Sequence, residues 1–222
     1  SNDARGTVAA FDPKTRDPLD RAPGLARSRG MELGVRTEAI AKMQTAVSLY
    51  RLDIDSELTY IGDAGTTEAG DASRRTGIEF SNYWRPLKWL ALDVDAAYAR
   101  ARSRNGDRIP GAVEGVGQLA LTVDKVGPWS GALRLRYFGP RPLIEDNSVR
   151  SQASTTLNGR IGYKAGKDLQ LELEAFNLAN RRASAIDYYY ASQLAGEPAP
   201  RDDIHFHPIE PRSLRLTLTK TW

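Results

Sequence analysis

Ser213-Leu214-Arg215-Leu216-Thr217-Leu218-Thr219-Lys220-Thr221-Trp222 closes the chain, and its apolar residues recur at every second position. Leu214, Leu216 and Leu218 share one side of an extended backbone, while Ser213, Arg215, Thr217, Thr219 and Thr221 take the other. That period of two belongs to a strand; a helix would repeat every 3.6 residues. The same alternation runs backwards through the sequence. Leu169, Leu171 and Leu173 alternate with Gln170, Glu172 and Glu174, and Leu133, Leu135 and Tyr137 with Arg134 and Arg136. Leu157, Ile161 and Tyr163 oppose Thr156, Asn158 and Arg160, and Met31, Leu33 and Val35 oppose Glu32, Gly34 and Arg36. Leu90, Leu92, Val94, Ala96 and Tyr98 face away from Asp93 and Asp95, and Leu119, Leu121 and Val123 from Gln118 and Thr122. Around residue 50, Tyr50, Leu52, Ile54, Leu58 and Tyr60 are set against Arg51, Asp53, Asp55, Glu57 and Thr59. With a further segment around Ile78 and Phe80, nine strands are expected, at 27–38, 43–61, 74–85, 88–102, 112–124, 129–138, 153–164, 168–178 and 212–222.

Alternation alone fits any antiparallel sheet with one wet face, so a soluble β-sandwich binding module stays open at this point. Three observations favour a membrane barrel. Connections alternate short and long, with tight links at 38–43, 85–87, 125–128 and 164–167 and long ones at 61–74, 103–111, 139–152 and 179–211. All short turns therefore fall at one end of the sheet, the asymmetry of outer-membrane barrels. Trp84, Trp89, Trp129 and Trp222 lie at the short-turn end, whereas Tyr60, Tyr98 and Tyr137 lie near the other. Two aromatic belts around an aliphatic band are what two membrane interfaces produce. The opposite face carries Arg36, Arg51, Asp53, Asp55, Glu57, Glu79, Asp93, Asp95, Arg134, Arg136, Arg160, Glu172, Glu174 and Arg215, a mixture that a water-filled lumen accepts.

Averaged over 222 residues, 41% hydrophobic and 27% charged describe a soluble protein, but the average adds two opposite faces together. No apolar run approaches the roughly 20 residues of a helical span. Ser1-Asn2-Asp3-Ala4-Arg5 contains no charged leader joined to an apolar core. The lack of cysteine excludes disulfides, thiolate chemistry and cysteine-based zinc sites in this chain. The 31 basic and 28 acidic residues are interspersed, and no nucleic-acid partner is expected.

The closing segment, led in by Glu210-Pro211-Arg212 and ending on an aromatic residue, resembles the last strand of TonB-dependent outer-membrane receptors. Leu171-Glu172-Leu173-Glu174-Ala175-Phe176-Asn177-Leu178-Ala179-Asn180-Arg181 is similar to that family's penultimate strand and the Asn-Leu-x-Asn turn after it. Arg29-Gly30-Met31-Glu32-Leu33-Gly34 and Arg75-Thr76-Gly77-Ile78-Glu79-Phe80 resemble its Arg-Gly-x-Glu-x-Gly strand opening. The resemblance implies an all-β fold, an antiparallel transmembrane β-barrel portion of about nine strands from a barrel of about 22. It implies that residues 1–222 are the C-terminal part of the barrel, with the plug domain outside this chain, the first residues in an extracellular loop and the C-terminus in the periplasm. It also implies import of a small-molecule or metal-chelate ligand across a Gram-negative outer membrane, driven by the TonB energy-transducing complex through the plug. Outer-membrane lipid and the barrel-assembly machinery are further implied partners, the latter reading Leu214, Leu216, Leu218 and Trp222. Lys220 departs from the family pattern, standing where a hydrophobe is usual; a long lysine at a membrane edge can snorkel. A structural or adhesive outer-membrane barrel without transport is the nearest alternative.

Candidate ligand contacts lie in the long connections. His205 and His207, spaced i, i+2, share a face when extended and stand close to Asp202 and Asp203. Asp187, Tyr188, Tyr189 and Tyr190 offer an aromatic floor, or else lengthen the last hairpin above the membrane. Arg141, Glu145 and Asp146 belong to a proline-stiffened polar loop. The pairs Asp53/Asp55 and Asp93/Asp95 read as lumen charges in cross-strand ladders. No catalytic triad, phosphate-binding loop or dinucleotide motif is present, and no enzyme activity, cofactor or bound metal is expected.

Overall fold

The computed structural model describes residues 26–56, 58–61 and 66–222. Among these, thirteen strands follow one another: β1 (Ser28–Thr37), β2 (Met43–Ile54), β3 (Leu58–Ile61), β4 (Thr66–Ala69), β5 (Ser73–Leu87), β6 (Leu90–Ser103), β7 (Gly115–Val126), β8 (Trp129–Phe138), β9 (Ser154–Ala165), β10 (Leu169–Phe176), β11 (Ser184–Ser192), β12 (Arg201–Pro208) and β13 (Ser213–Lys220). Nine of them form one sheet in the order β1-β2-β5-β6-β7-β8-β9-β10-β13, every neighbour antiparallel. The pairs β3-β4 and β11-β12 are separate hairpins inserted in two of the long connections. The nine expected strands all appear. The expected 43–61 strand is corrected: it ends at Ile54, and its continuation turns away to pair with β4. Glu57 and residues 1–25 and 62–65 lie outside the described residues, and with them the expected placement of the chain's start.

Register assigns each side chain to a face. Leu33 opposes Leu49, which opposes Ile78, which opposes Tyr98. Further along, Leu119 opposes Leu135, and Leu173 opposes both Ile161 and Leu216. The aliphatic side chains thus form one continuous outward band. Among the described residues no second layer covers them: Leu214, Leu216 and Leu218 are 68%, 66% and 64% exposed. A β-sandwich would bury these residues between sheets. Among the described residues the buried hydrophobics are Ala91, Ala101, Ala120 and Leu143, too few and too small for an aqueous core.

The other face carries the expected charges at Glu79, Asp93, Asp95, Arg134, Arg136, Arg160, Glu172, Glu174 and Arg215. Arg160 lies 3.5 Å from Glu172, Arg215 lies 3.5 Å from Glu174, and the Gln118 amide donates to Asp95 over 3.2 Å. One assignment is corrected. Arg51 and Asp53 have the parity of Val47 and Leu49 and face outward, while Tyr50, Leu52 and Ile54 face inward. The Tyr50 ring occupies the space a Cβ would need at Gly77, 2.6 Å away. The reversal has a physical cause. Beyond residue 49 the strand rises out of the apolar band, so its outward side meets polar surroundings and its greasy side chains turn in against neighbouring glycines.

The short links sit together at one end. Gly127, at φ 61°, and Gly166, at φ 74°, make the left-handed turns that two of them need. Trp84, Trp89, Trp129 and Trp222 gather here, and the Trp129 and Tyr163 rings meet at 4.7 Å between centroids. The Lys220 ammonium lies 4.1 Å from the centroid of the Trp222 ring, so the lysine that interrupts the leucine row rests on an aromatic face.

At the opposite end the Asn-Leu-x-Asn turn acts as a clamp. Asn177 and Asn180 both adopt φ 47°, a conformation asparagine tolerates. Asn177 is 4% exposed; its amide group donates to the carbonyls of Arg181 and Glu210, each over 3.0 Å, and its oxygen accepts from the Arg181 N–H over 2.9 Å. The Asn180 oxygen accepts from the Arg212 N–H over 3.1 Å. Both ends of the 177–212 connection are thereby tied, which aims β13 along β10. Asn177→Ala, which deletes the buried amide that makes these three hydrogen bonds, is expected to cost about 1–3 kcal/mol, measured by denaturant unfolding of the refolded receptor.

Candidate functional site

The long-loop end holds every ligand-contact candidate. The 139–153 loop folds back on itself: the Arg141 N–H donates to Ser151 Oγ over 3.0 Å, the Ser151 N–H to the Arg141 carbonyl over 2.9 Å, and the Leu143 N–H to the Val149 carbonyl over 2.9 Å. Pro142 is fully buried and Leu143 nearly so. This loop also receives two hydrogen bonds from its neighbour, Gly111 N–H to the Pro142 carbonyl and Arg108 N–H to the Glu145 carbonyl, each 2.8 Å. Glu145 and Asp146 themselves project into solvent at its tip. The Ser148 N–H donates to the Asp146 carboxylate over 2.9 Å, and together with the Ser148 side chain it holds that carboxyl below the usual range.

Two residues singled out separately in the sequence meet here. Arg141 donates to Asp187 over 2.9 Å, joining the 139–153 loop to β11, and both side chains are largely shielded from water. Their charges are spent on each other. The segment 187–190 is extended, so its aromatic residues split: Tyr188 and Tyr190 share one face of the β11-β12 hairpin with His205, while Tyr189 takes the other. Tyr190 stacks on His205 at 4.0 Å and 15°, and Tyr188 meets His207 edge-on at 6.5 Å. The two histidines do share a face, as their spacing predicts, but aromatic rings accompany each of them. Among the described residues no three His, Cys, Asp or Glu side chains gather closely enough to hold a metal ion, so Asp202 and Asp203 do not complete a ligand set.

Sequence reading missed a second ionic centre. Glu114, just before β7, receives Arg108 on one carboxylate oxygen and Arg150 on the other. Arg150 also donates to Asn147 and, over 2.9 Å, to the Pro140 carbonyl. The available signal was faint: one acid at a strand entrance whose basic partners come from two different loops. With Arg141-Asp187 and the asparagine clamp, it joins the connections 104–114, 139–153 and 177–212 into one body above the lumen.

A meandering sheet with a lipid-type outer face, a charged inner face, short turns at one end and tied loops at the other defines an outer-membrane barrel segment. Residues 7–178 match the family model described as TonB dependent receptor-like, beta-barrel, and the chain belongs to that family of transport receptors. The pesticin receptor of Yersinia enterocolitica serotype O:8 is 26% identical over 193 residues, covering 81% of this chain and 28% of the relative. The chain thus spans under a third of the length of this relative. Among solved structures, the ferric-catecholate import receptor of K12 E. coli in its closed form aligns with a TM-score of 0.66 at 18% identity, over 96% of this chain and 29% of that one. The ferric yersiniabactin uptake receptor of Yersinia pestis aligns with a TM-score of 0.66 at 17% identity, over 89% of this chain and 30% of that one. These likenesses concern the fold.

Proposed function

We propose that residues 1–222 are the C-terminal part of the barrel of an outer-membrane receptor that imports a scarce small molecule, a siderophore-like chelate in the first instance. The observation that carries this reading is the joined loop body, which presents Tyr188, Tyr190, His205 and His207 on one face and Glu145 and Asp146 at an exposed tip. Aromatic rings with imidazoles suit an aromatic or metal-chelating solute, and loops already tied together lose little entropy on capture. Arg141 and Asp187 would act as positioning residues. The mixed charges of the inner wall, Arg134 and Arg136 facing Asp93 and Asp95 by parity, would keep the passage wet without binding ions of one sign.

In this reading the ligand is captured from outside, and the plug, outside this chain, is rearranged by the TonB complex. The barrel makes and breaks no covalent bond. The short-turn end and Trp222 would face the periplasm, and Leu214, Leu216, Leu218 and Trp222 would be read by the assembly machinery. The test expresses the whole receptor in cells lacking their own uptake receptors and follows radioiron delivered as a panel of ferric chelates. Uptake that stops when the proton gradient collapses, and that deletion of 184–208 abolishes while the barrel still folds, is expected. Uptake indifferent to both counts against the proposal, and cell adhesion without uptake would favour the non-transporting barrel.

A further inference from the structure

Lysine and arginine are kept apart along this wall. The described lysines, Lys42, Lys88, Lys125, Lys164, Lys167 and Lys220, are all exposed and all stand at the short-turn end, whereas the fixed cations of the connections 104–114, 139–153 and 177–212 are all arginine. The side-chain carboxylates of the short turns are Glu38, Asp124 and Asp168. Glu38 accepts from the Gln44 amide over 2.7 Å, and Asp124 lies 3.7 Å from Arg85. Lys125, the next residue, makes no salt bridge among the described residues. It stands over a gap in the outward face. Two neighbouring outward rows read Leu90, Val123, Gly131, Ile161, Leu173 and Leu92, Leu121, Leu133, Gly159, Ala175. Gly131, Gly159 and Ala175 leave side-chain volume out of them, so a furrow runs obliquely from β8 to β10. Over Gly131 an added Cβ would meet the Arg160 carbonyl at 3.1 Å and no side chain; over Gly159 the Leu133 and Leu178 side chains lean in and narrow the space. Near the turns the furrow is a crevice of about 650 Å³ between Trp89, Val123, Lys125, Trp129 and Ile161. It continues for about 540 Å³ past Leu133, Leu173 and Ala175. Val123, Gly131 and Ile161 line both parts, and strand spacing makes the whole roughly 15 Å long.

We propose that this furrow binds an anionic glycerophospholipid, with one acyl chain laid along Gly131 and the phosphodiester on Lys125. The furrow opens on the apolar band, so what fills it comes from hydrocarbon. The cation at its mouth stands level with the tryptophans, where headgroups lie. A chain-like apolar ligand with one anion at its end meets both demands. Lysine suits that anion, because an ammonium is a compact charge on a flexible stem, whereas a guanidinium is built for bidentate partners. A zwitterionic lipid carries its own cation beside the phosphate and gains less from Lys125. The inference rests on the reading of the outward face as the one that meets the membrane.

The test places the whole receptor in phosphatidylcholine nanodiscs holding a minor share of phosphatidylglycerol, and counts the lipids retained per receptor by native mass spectrometry after mild detergent extraction. The unaltered receptor is expected to retain phosphatidylglycerol in preference, and less so as salt is raised. Lys125→Gln is expected to lower that preference about fivefold, the worth of one interfacial cation, and Lys125→Arg to keep most of it. Val123→Phe, which puts a ring over Gly131, is expected to lower retention of both lipids. Lys42→Gln, at a turn away from the furrow, is expected to change neither. Equal retention of the two lipids by the unaltered receptor overturns the proposal, as does parental preference in the folded Lys125→Gln variant. An equal loss from Lys42→Gln also overturns it, by assigning the effect to the whole lysine rim. So does displacement by millimolar inorganic phosphate or by polyglutamate, which would assign Lys125 to a free ion or to an acidic protein. Should Val123→Phe fail to fold, the lysine variants and the lipid comparison decide. A receptor that does not insert into the bilayer at all would instead count against the membrane reading of the outward face.

Discussion

Leu216→Arg is expected to destabilise the folded barrel by about 2–4 kcal/mol, and the cost follows from depth. Leu216 stands at the middle of β13, opposite Leu173, which lies opposite Ile161 on the next strand. Among the described residues nothing covers it. A guanidinium there must enter hydrocarbon or pull water and headgroups inward. The same change at Thr217, one residue on and facing the inner wall beside Glu172, is expected to be nearly neutral. Unfolding in lipid vesicles, read by tryptophan fluorescence, separates the two. Equal losses at both positions would mean that the assigned faces are wrong.

Asp187→Ala is expected to have an effect of about 3 kcal/mol, expressed locally, because it strands the Arg141 charge in a site that excludes most water. The loop body would open in place of a global collapse. Amide exchange in 139–153 and in β11 should therefore speed up together, while β8 and β9 hold their protection. Replacing both partners, Arg141→Met/Asp187→Leu, is expected to restore most of that protection, since a matched apolar pair carries no unpaired charge. A double variant as loose as the single one would show that the ion pair does not join the loops.

The strands were legible because a sheet with two unlike solvents writes a period of two into every segment, and the register confirms that pattern from Met31 to Leu218. The misreading on β2 has a definite origin. Val47 and Leu49 have one parity and Tyr50, Leu52 and Ile54 the other, so the segment holds two greasy sets and periodicity cannot say which one meets lipid. Only cross-strand register decides. The β11-β12 hairpin was half visible, as aromatic residues without a firm alternation. Arg141 and Asp187 were each conspicuous, but not as a pair: they are 46 positions apart in two loops, and no local pattern encodes such a meeting. Glu114 was overlooked because only Arg108 is near it in sequence, six positions back, while Arg150 comes from another loop 36 positions on.

The parity switch at residue 49 also works as a waterline. From Met43 to Leu49, the outward residues of β2 can sit in oil; from Arg51 upward they cannot. Neighbouring strands change character at the same level, at Tyr98 below Arg100 and at Ile78 below Arg74. Sinking the wall by two residues would drag Arg51 and Arg100 below the surface, and raising it would lift leucines into water, each against a penalty of order kcal/mol per side chain. The wall therefore floats at one height. Loops built on it stand a fixed distance above the surface, so the reach of the mouth into its surroundings is set by a few side chains that touch no ligand.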